Sequence, residues 1–81
     1  MKVRVAYKTT IVTEVEVGEQ YADCIRLADT PWGEFPAERI NEWYVECDSI
    51  YDDVREKLRN SDPDYDGIEQ IVTLNGGPIY S

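Results

Sequence analysis

Eighty-one residues carry 17 acidic side chains against 8 basic ones, with no histidine and two cysteines, a net charge of -9. Apolar content of 42% with two Trp, six Tyr and one Phe excludes a disordered acidic tail, and no apolar run approaches the ~20 residues of a membrane span. A chain this short predicts a single domain, residues 1–81, that buries only about 60% of its unfolded surface.

The first 17 residues alternate. Val3, Val5, Tyr7, Ile11, Val15 and Val17 share one parity, and Lys2, Arg4, Lys8, Glu14 and Glu16 the other, the period-2 pattern of a half-buried strand. One unbroken strand would run about 53 Å at ~3.3 Å per residue, too long for so small a domain. A hairpin turning near Lys8-Thr9-Thr10 sets Tyr7 opposite Ile11, Val3 opposite Val15, Arg4 opposite Glu14 and Lys2 opposite Glu16. Opposite charges across a strand pair favour that register. The same N-terminus lacks the apolar stretch of a signal peptide. The two cysteines lie far apart in sequence, outside any Cys-x-x-Cys pair, so the expected setting is cytoplasmic and reduced.

Gly18 ends the second strand, and Glu19 to Ala28 reads as a short helix with Tyr21, Cys24, Ile25 and Ala28 on one side. Thr30 to Pro36 is a breaker-rich loop holding Trp32 and Phe35. The next helix is the clearest element: Ile40, Tyr44, Cys47, Tyr51, Val54 and Leu58 recur at the spacings of an amphipathic seam. It should run from about residue 37 to 60, where Ser61-Asp62-Pro63 stops it. Ile68 to Leu74 is a strand, Asn75-Gly76-Gly77 a turn, and Pro78-Ile79-Tyr80 a short return strand. The expected fold is α+β: a small antiparallel sheet, made of the N-terminal hairpin and a C-terminal strand or hairpin, covered on one face by a short and a long helix.

Charge is unevenly placed. Residues 1–8 hold three bases and no acid, whereas residues 14–53 hold twelve acids and only Arg26 and Arg39 as bases. Such a field repels nucleic acid and anionic membrane and attracts basic surfaces. On a helical wheel with Ile40 at zero, the face opposite the seam collects Glu38, Glu42, Val45, Glu46, Ser49, Asp52, Asp53 and Glu56, six acids with no base among them. Acids early and bases late in a helix suit its dipole, which accounts for Glu38, Glu42 and the Arg55, Lys57, Arg59 end. Glu46, Asp52 and Asp53 in mid-helix have no such reason, and like charges four residues apart repel. Together the six acids predict a carboxylate ridge that docks on a basic protein surface, with Trp32 as the candidate aromatic anchor. In a domain this small, folding back over the core is the favoured reading for Trp32 and Phe35. Glu14 and Glu16 stand outside the ridge, being paired with Arg4 and Lys2.

Asp62-Pro63-Asp64-Tyr65-Asp66-Gly67 matches the start of a calcium loop, with oxygens from Asp62, Asp64 and Asp66 and glycine at the sharp turn. Position 12 is Thr73, where a bidentate Glu is needed, and a strand follows instead of a helix. The same residues are what any helix-to-strand turn collects. Cys24 and Cys47 both sit on apolar faces and read as buried, inert thiols. No His-assisted nucleophile and no Gly-rich phosphate loop is present, so the expectation is a protein that is not an enzyme and uses no cofactor apart from the calcium alternative.

In size, acidity, aromatic richness and lack of catalytic residues, the chain resembles the small proteins that phages and mobile elements use against host defence nucleases, the anti-CRISPR and anti-restriction inhibitors. That resemblance implies stoichiometric blockade of a nucleic-acid-binding protein. It shares no motif with the family from which a residue role could be carried over. The alternatives are a small calcium-binding domain and an accessory domain whose acidity serves solubility alone.

Overall fold

A computed structural model describes residues 1–7, 11–63 and 65–81. β1 (Lys2–Tyr7) and β2 (Ile11–Glu16) form the N-terminal hairpin in the register that charge pairing implied, Arg4 opposite Glu14 and Lys2 opposite Glu16. A slip of one residue would turn Val3, Val5 and Val15 out of the core, which is what pins the pairing. The expected turn at Lys8-Thr9-Thr10 lies outside the described residues. Ile11 departs from the buried parity and is exposed beside Val12.

The stretch expected to be one short helix is a 3-10 turn, Glu19–Tyr21, running into α1 (Ala22–Ala28). A second 3-10 turn, Trp32–Glu34, lies between Pro31 and Pro36. The long helix likewise opens on a 3-10 turn, Ala37–Arg39, in which the Arg39 N–H donates to the Pro36 carbonyl at 2.9 Å. α2 (Ile40–Ser61) follows and ends where Asp62 turns extended, the conformation forced on a residue that precedes proline.

β3 (Ile68–Thr73) and β4 (Pro78–Tyr80) make the second hairpin. β3 stops one residue short of Leu74, because the Gly76 N–H donates to the Thr73 carbonyl at 3.0 Å and closes the turn. Gly76 has φ +93°, a backbone state open to glycine without strain. The sheet is antiparallel throughout, in the order β2-β1-β3-β4, so β1 and β3 are central. With both helices over one face, the architecture is the α+β layer that the sequence predicts.

One core joins the sheet to the helices: Val3, Val5, Val15, Val17, Ile71 and Ile79 from strands and their ends, Cys24, Ile25 and Leu27 from α1, and Trp43, Cys47, Ile50, Val54 and Leu58 from α2. The buried stripe of α2 is turned relative to the expected seam. Trp43 and Ile50 lie inside it, Ile40 and Tyr51 are half-buried, and Tyr44 is 53% exposed. On a wheel at 100° per residue the stripe has rotated by about 40°. Trp43 anchors the rotation: its ring packs on Phe35, and its indole N–H donates to the Cys24 carbonyl at 3.1 Å. A buried indole needs such an acceptor, and α1 supplies it.

Thr73 is the one buried polar side chain of the described residues and ties the two layers together. Its hydroxyl donates to Asp29 Oδ1 at 2.5 Å and accepts the N–H groups of Gly77 at 2.9 Å and Asn75 at 3.2 Å. Gly77 lies so close to the end of α1 that a Cβ there would fall 2.4 Å from the Ala28 carbonyl oxygen.

Candidate functional site: an acidic helix face beside an aromatic cleft

The rotation of α2 re-sorts the predicted ridge. The line opposite the core now runs through Glu38, Val45, Ser49, Asp52 and Glu56, and Val45 is 65% exposed at its middle. Glu38 sits on the 3-10 turn that leads into the helix and is exposed, as are Asp52 and Glu56 on α2 itself. Asp52 lies ten positions after Glu42, roughly 15 Å of helix at 1.5 Å each, and on the outward line that gap is filled by neutral Val45 and Ser49. The ridge is therefore two anionic ends with a neutral centre, instead of the continuous row that the pattern implied.

Several of the six acids have basic neighbours. Glu42 is 3.9 Å from Arg39, Asp52 is 3.8 Å from Arg55, and Asp53 is 3.3 Å from Lys57. The first two distances are loose contacts between solvated groups, which contribute little. Among the described residues no side-chain cation comes within ion-pair distance of Glu38 or Glu56. Glu46 has turned inward beside α1: it is half-buried, and its Oε2 is enclosed with no hydrogen-bond partner among the described residues. The local field that Glu46 makes is felt by Cys24, Cys47 and Arg39.

α1 and α2 are also joined by charge. Asp23 pairs with Arg26 on its own helix and with Arg39 at 2.7 Å across the gap. These two guanidinium groups, Arg26 first, hold the Asp23 carboxyl below its ordinary range and so keep it ionised. Just inside, Cys24 Sγ and Cys47 Sγ are 3.7 Å apart and buried. The hydrogen bond between the thiols, with burial, pushes Cys24 above the usual thiol range, so it stays protonated. The expectation of buried thiols stands; their mutual contact could not be seen from a separation of 23 residues.

Trp32 is partly folded back and partly exposed. One side packs on Phe35, with ring centroids 5.2 Å apart, and meets Trp43 edge-on at 6.1 Å, while 62% of the residue remains exposed. Tyr44 packs beside Trp43 at 5.3 Å and Tyr51 on Tyr80 at 4.6 Å. Between these groups opens a cleft of about 180 Å³ walled by Trp32, Trp43, Tyr44, Pro78, Ile79 and Tyr80. The exposure of Tyr44 and Tyr80 was hidden from sequence reasoning, because Tyr44 fits the apolar seam by spacing and only the packing of Trp43 displaces it.

The proposed calcium loop is split in its roles. Asp62 caps the end of α2, its N–H donating to the Leu58 carbonyl at 2.9 Å, and its carboxylate acts on the Tyr7 phenol. Burial, then that carboxylate, pushes the Tyr7 phenol above its ordinary value. Asp66 is exposed, and Asp64 lies outside the described residues. Thr73, at the twelfth position, is the buried tie to Asp29. Among the described residues no three carboxylates or thiols come together to hold a metal ion, and no helix is long and apolar enough to cross a membrane.

No family model matches the sequence, and no curated protein or solved structure matches it significantly.

Proposed function

We propose that the protein is a non-catalytic acidic binding protein that lays the outward face of α2 on a basic, nucleic-acid-binding surface of a partner protein. The inhibition of a host defence nuclease, in the manner of anti-CRISPR and anti-restriction proteins, is the activity this proposal favours. The single observation that supports it most is the exposed set of Glu38, on the turn leading into α2, and Asp52 and Glu56, on α2 itself, in a chain with net charge -9. Carboxylates held on a helix steer a basic partner and fix its register. Glu42 adds to this set through a loose pair that a partner's arginine can replace, whereas Glu46 contributes to the field without touching the partner.

The test uses the intact protein and a Glu38→Lys, Asp52→Lys, Glu56→Lys variant, each immobilised and exposed to the heparin-binding fraction of a bacterial lysate. A partner retained by the wild type, lost from the variant and released by duplex DNA or by RNA supports the proposal. Retention unaffected by the three reversals, or by added nucleic acid, rejects it.

A further inference from the structure

The aromatic cleft beside the acidic face has a shape and charge that specify an occupant. Trp32, Tyr44 and Tyr80 are 62%, 53% and 37% exposed around it, and Pro78 closes one side. The protein already shows how this row of rings meets a cation. Tyr51 lies two helical turns beyond Tyr44 and packs on Tyr80, and Arg55 lies over the Tyr51 ring, 5.9 Å from its centroid. Among the described residues no side-chain cation lies over Trp32 or Tyr44.

The surroundings are anionic. Residues 32–48 contain five acids and one base, Arg39, which is engaged with Asp23 and Glu42. Glu34 neighbours Trp32 on its 3-10 turn, and Asp48 lies one turn after Tyr44 on α2; both are exposed without an ion pair among the described residues. Aromatic faces rimmed by carboxylates favour a flat, weakly hydrated cation. The guanidinium stacks on rings and keeps its N–H groups for carboxylates, whereas an ammonium holds its water more strongly.

We propose that the cleft between Trp32, Tyr44 and Tyr80 is an arginine-accepting subsite, which takes a guanidinium side chain from a basic protein partner. It rests on the reading of the molecule as an acidic docking protein and adds the anchor: the carboxylates of α2 draw the partner in, and the cleft selects arginine over lysine.

The two claims separate experimentally. Nona-arginine and nona-lysine peptides carry equal charge and serve as probes, titrated by calorimetry at matched ionic strength. The wild type should bind nona-arginine about fivefold or more tightly than nona-lysine. Replacing the rings while keeping apolar bulk, Trp32→Leu with Tyr44→Leu, should bring nona-arginine down to the nona-lysine value and leave nona-lysine within about twofold. The Glu38→Lys, Asp52→Lys, Glu56→Lys variant should weaken both peptides together and keep the preference. An amide NMR spectrum confirms that each variant is folded; if the double variant is not, Tyr44→Leu alone should still reduce the preference. Equal affinity of the wild type for both peptides overturns the subsite and leaves acidic docking standing. So does a preference that survives loss of both rings. Binding of neither peptide overturns both claims. A wild-type dimer in solution that Trp32→Leu disperses gives the cleft to a second copy of the chain and overturns the arginine assignment.

Discussion

Thr73 looks unremarkable among the apolar residues of β3, yet its hydroxyl satisfies three groups at once: the Asp29 carboxylate and the N–H groups of Asn75 and Gly77. Thr73→Val keeps the shape and strands those partners, so it should cost about 1–3 kcal/mol in urea unfolding. Thr73→Ser should recover most of that loss. If Thr73→Val proves as stable as the wild type, the tie between α1 and the second hairpin is not a source of stability. The residue was legible as a strand position because β-branched side chains suit strands. Its role was not legible, since the partner Asp29 lies 44 positions away and a burial this complete is set by packing.

At the scale of elements, α1 and α2 meet through three kinds of contact: the Asp23–Arg39 pair, the Trp43 indole on the Cys24 carbonyl, and the two thiols. Sulfur atoms 3.7 Å apart need only a small approach to reach the bonding distance of about 2.0 Å. Diamide, a two-electron thiol oxidant, should therefore join Cys24 to Cys47 within one chain, read by mass spectrometry as the loss of two hydrogens. Closing the intervening loop should stabilise the fold by on the order of 3 kcal/mol, seen as a higher Tm that dithiothreitol reverses. Cross-linking only between chains, or only in denaturant, would show that the helices cannot supply the geometry. The helix itself and its approximate ends were readable from the spacing of apolar residues and from Asp62-Pro63. Which side of it faces inward was readable only to within about 40°, because Trp43, Tyr44, Ile50 and Tyr51 are all apolar enough for the seam. Trp43 wins over Tyr44 because the indole finds an acceptor on α1 and two rings to pack against.

Over the whole molecule, a net charge of -9 is spread on 5146 Å² of accessible surface. Self-repulsion at this density works against the compact state, and the ion pairs of α2 are too exposed to offset it strongly. Raising ionic strength from about 0.01 to 0.15 M shortens the Debye length from ~30 to ~8 Å, and Tm should rise by several degrees. A Tm that falls over this range would mean that attractive pairs dominate. The same screening should weaken association with the basic partner proposed above, so that salt would move stability and that binding in opposite directions.

Composition and periodicity by themselves determined the elements, the register of the first hairpin, the α+β class and the sign of the surface. Those properties are local or additive: alternation places side chains on faces, opposite charges prefer to sit across a strand pair, and charge sums whatever the fold. Tertiary structure alone decided the rotation of α2, and with it the inward turn of Glu46, the division of the carboxylate row into two ends, the meeting of Cys24 with Cys47, and the aromatic cleft. Each of these depends on which of several chemically adequate side chains fills a finite core, a choice made by close packing between segments distant in the chain.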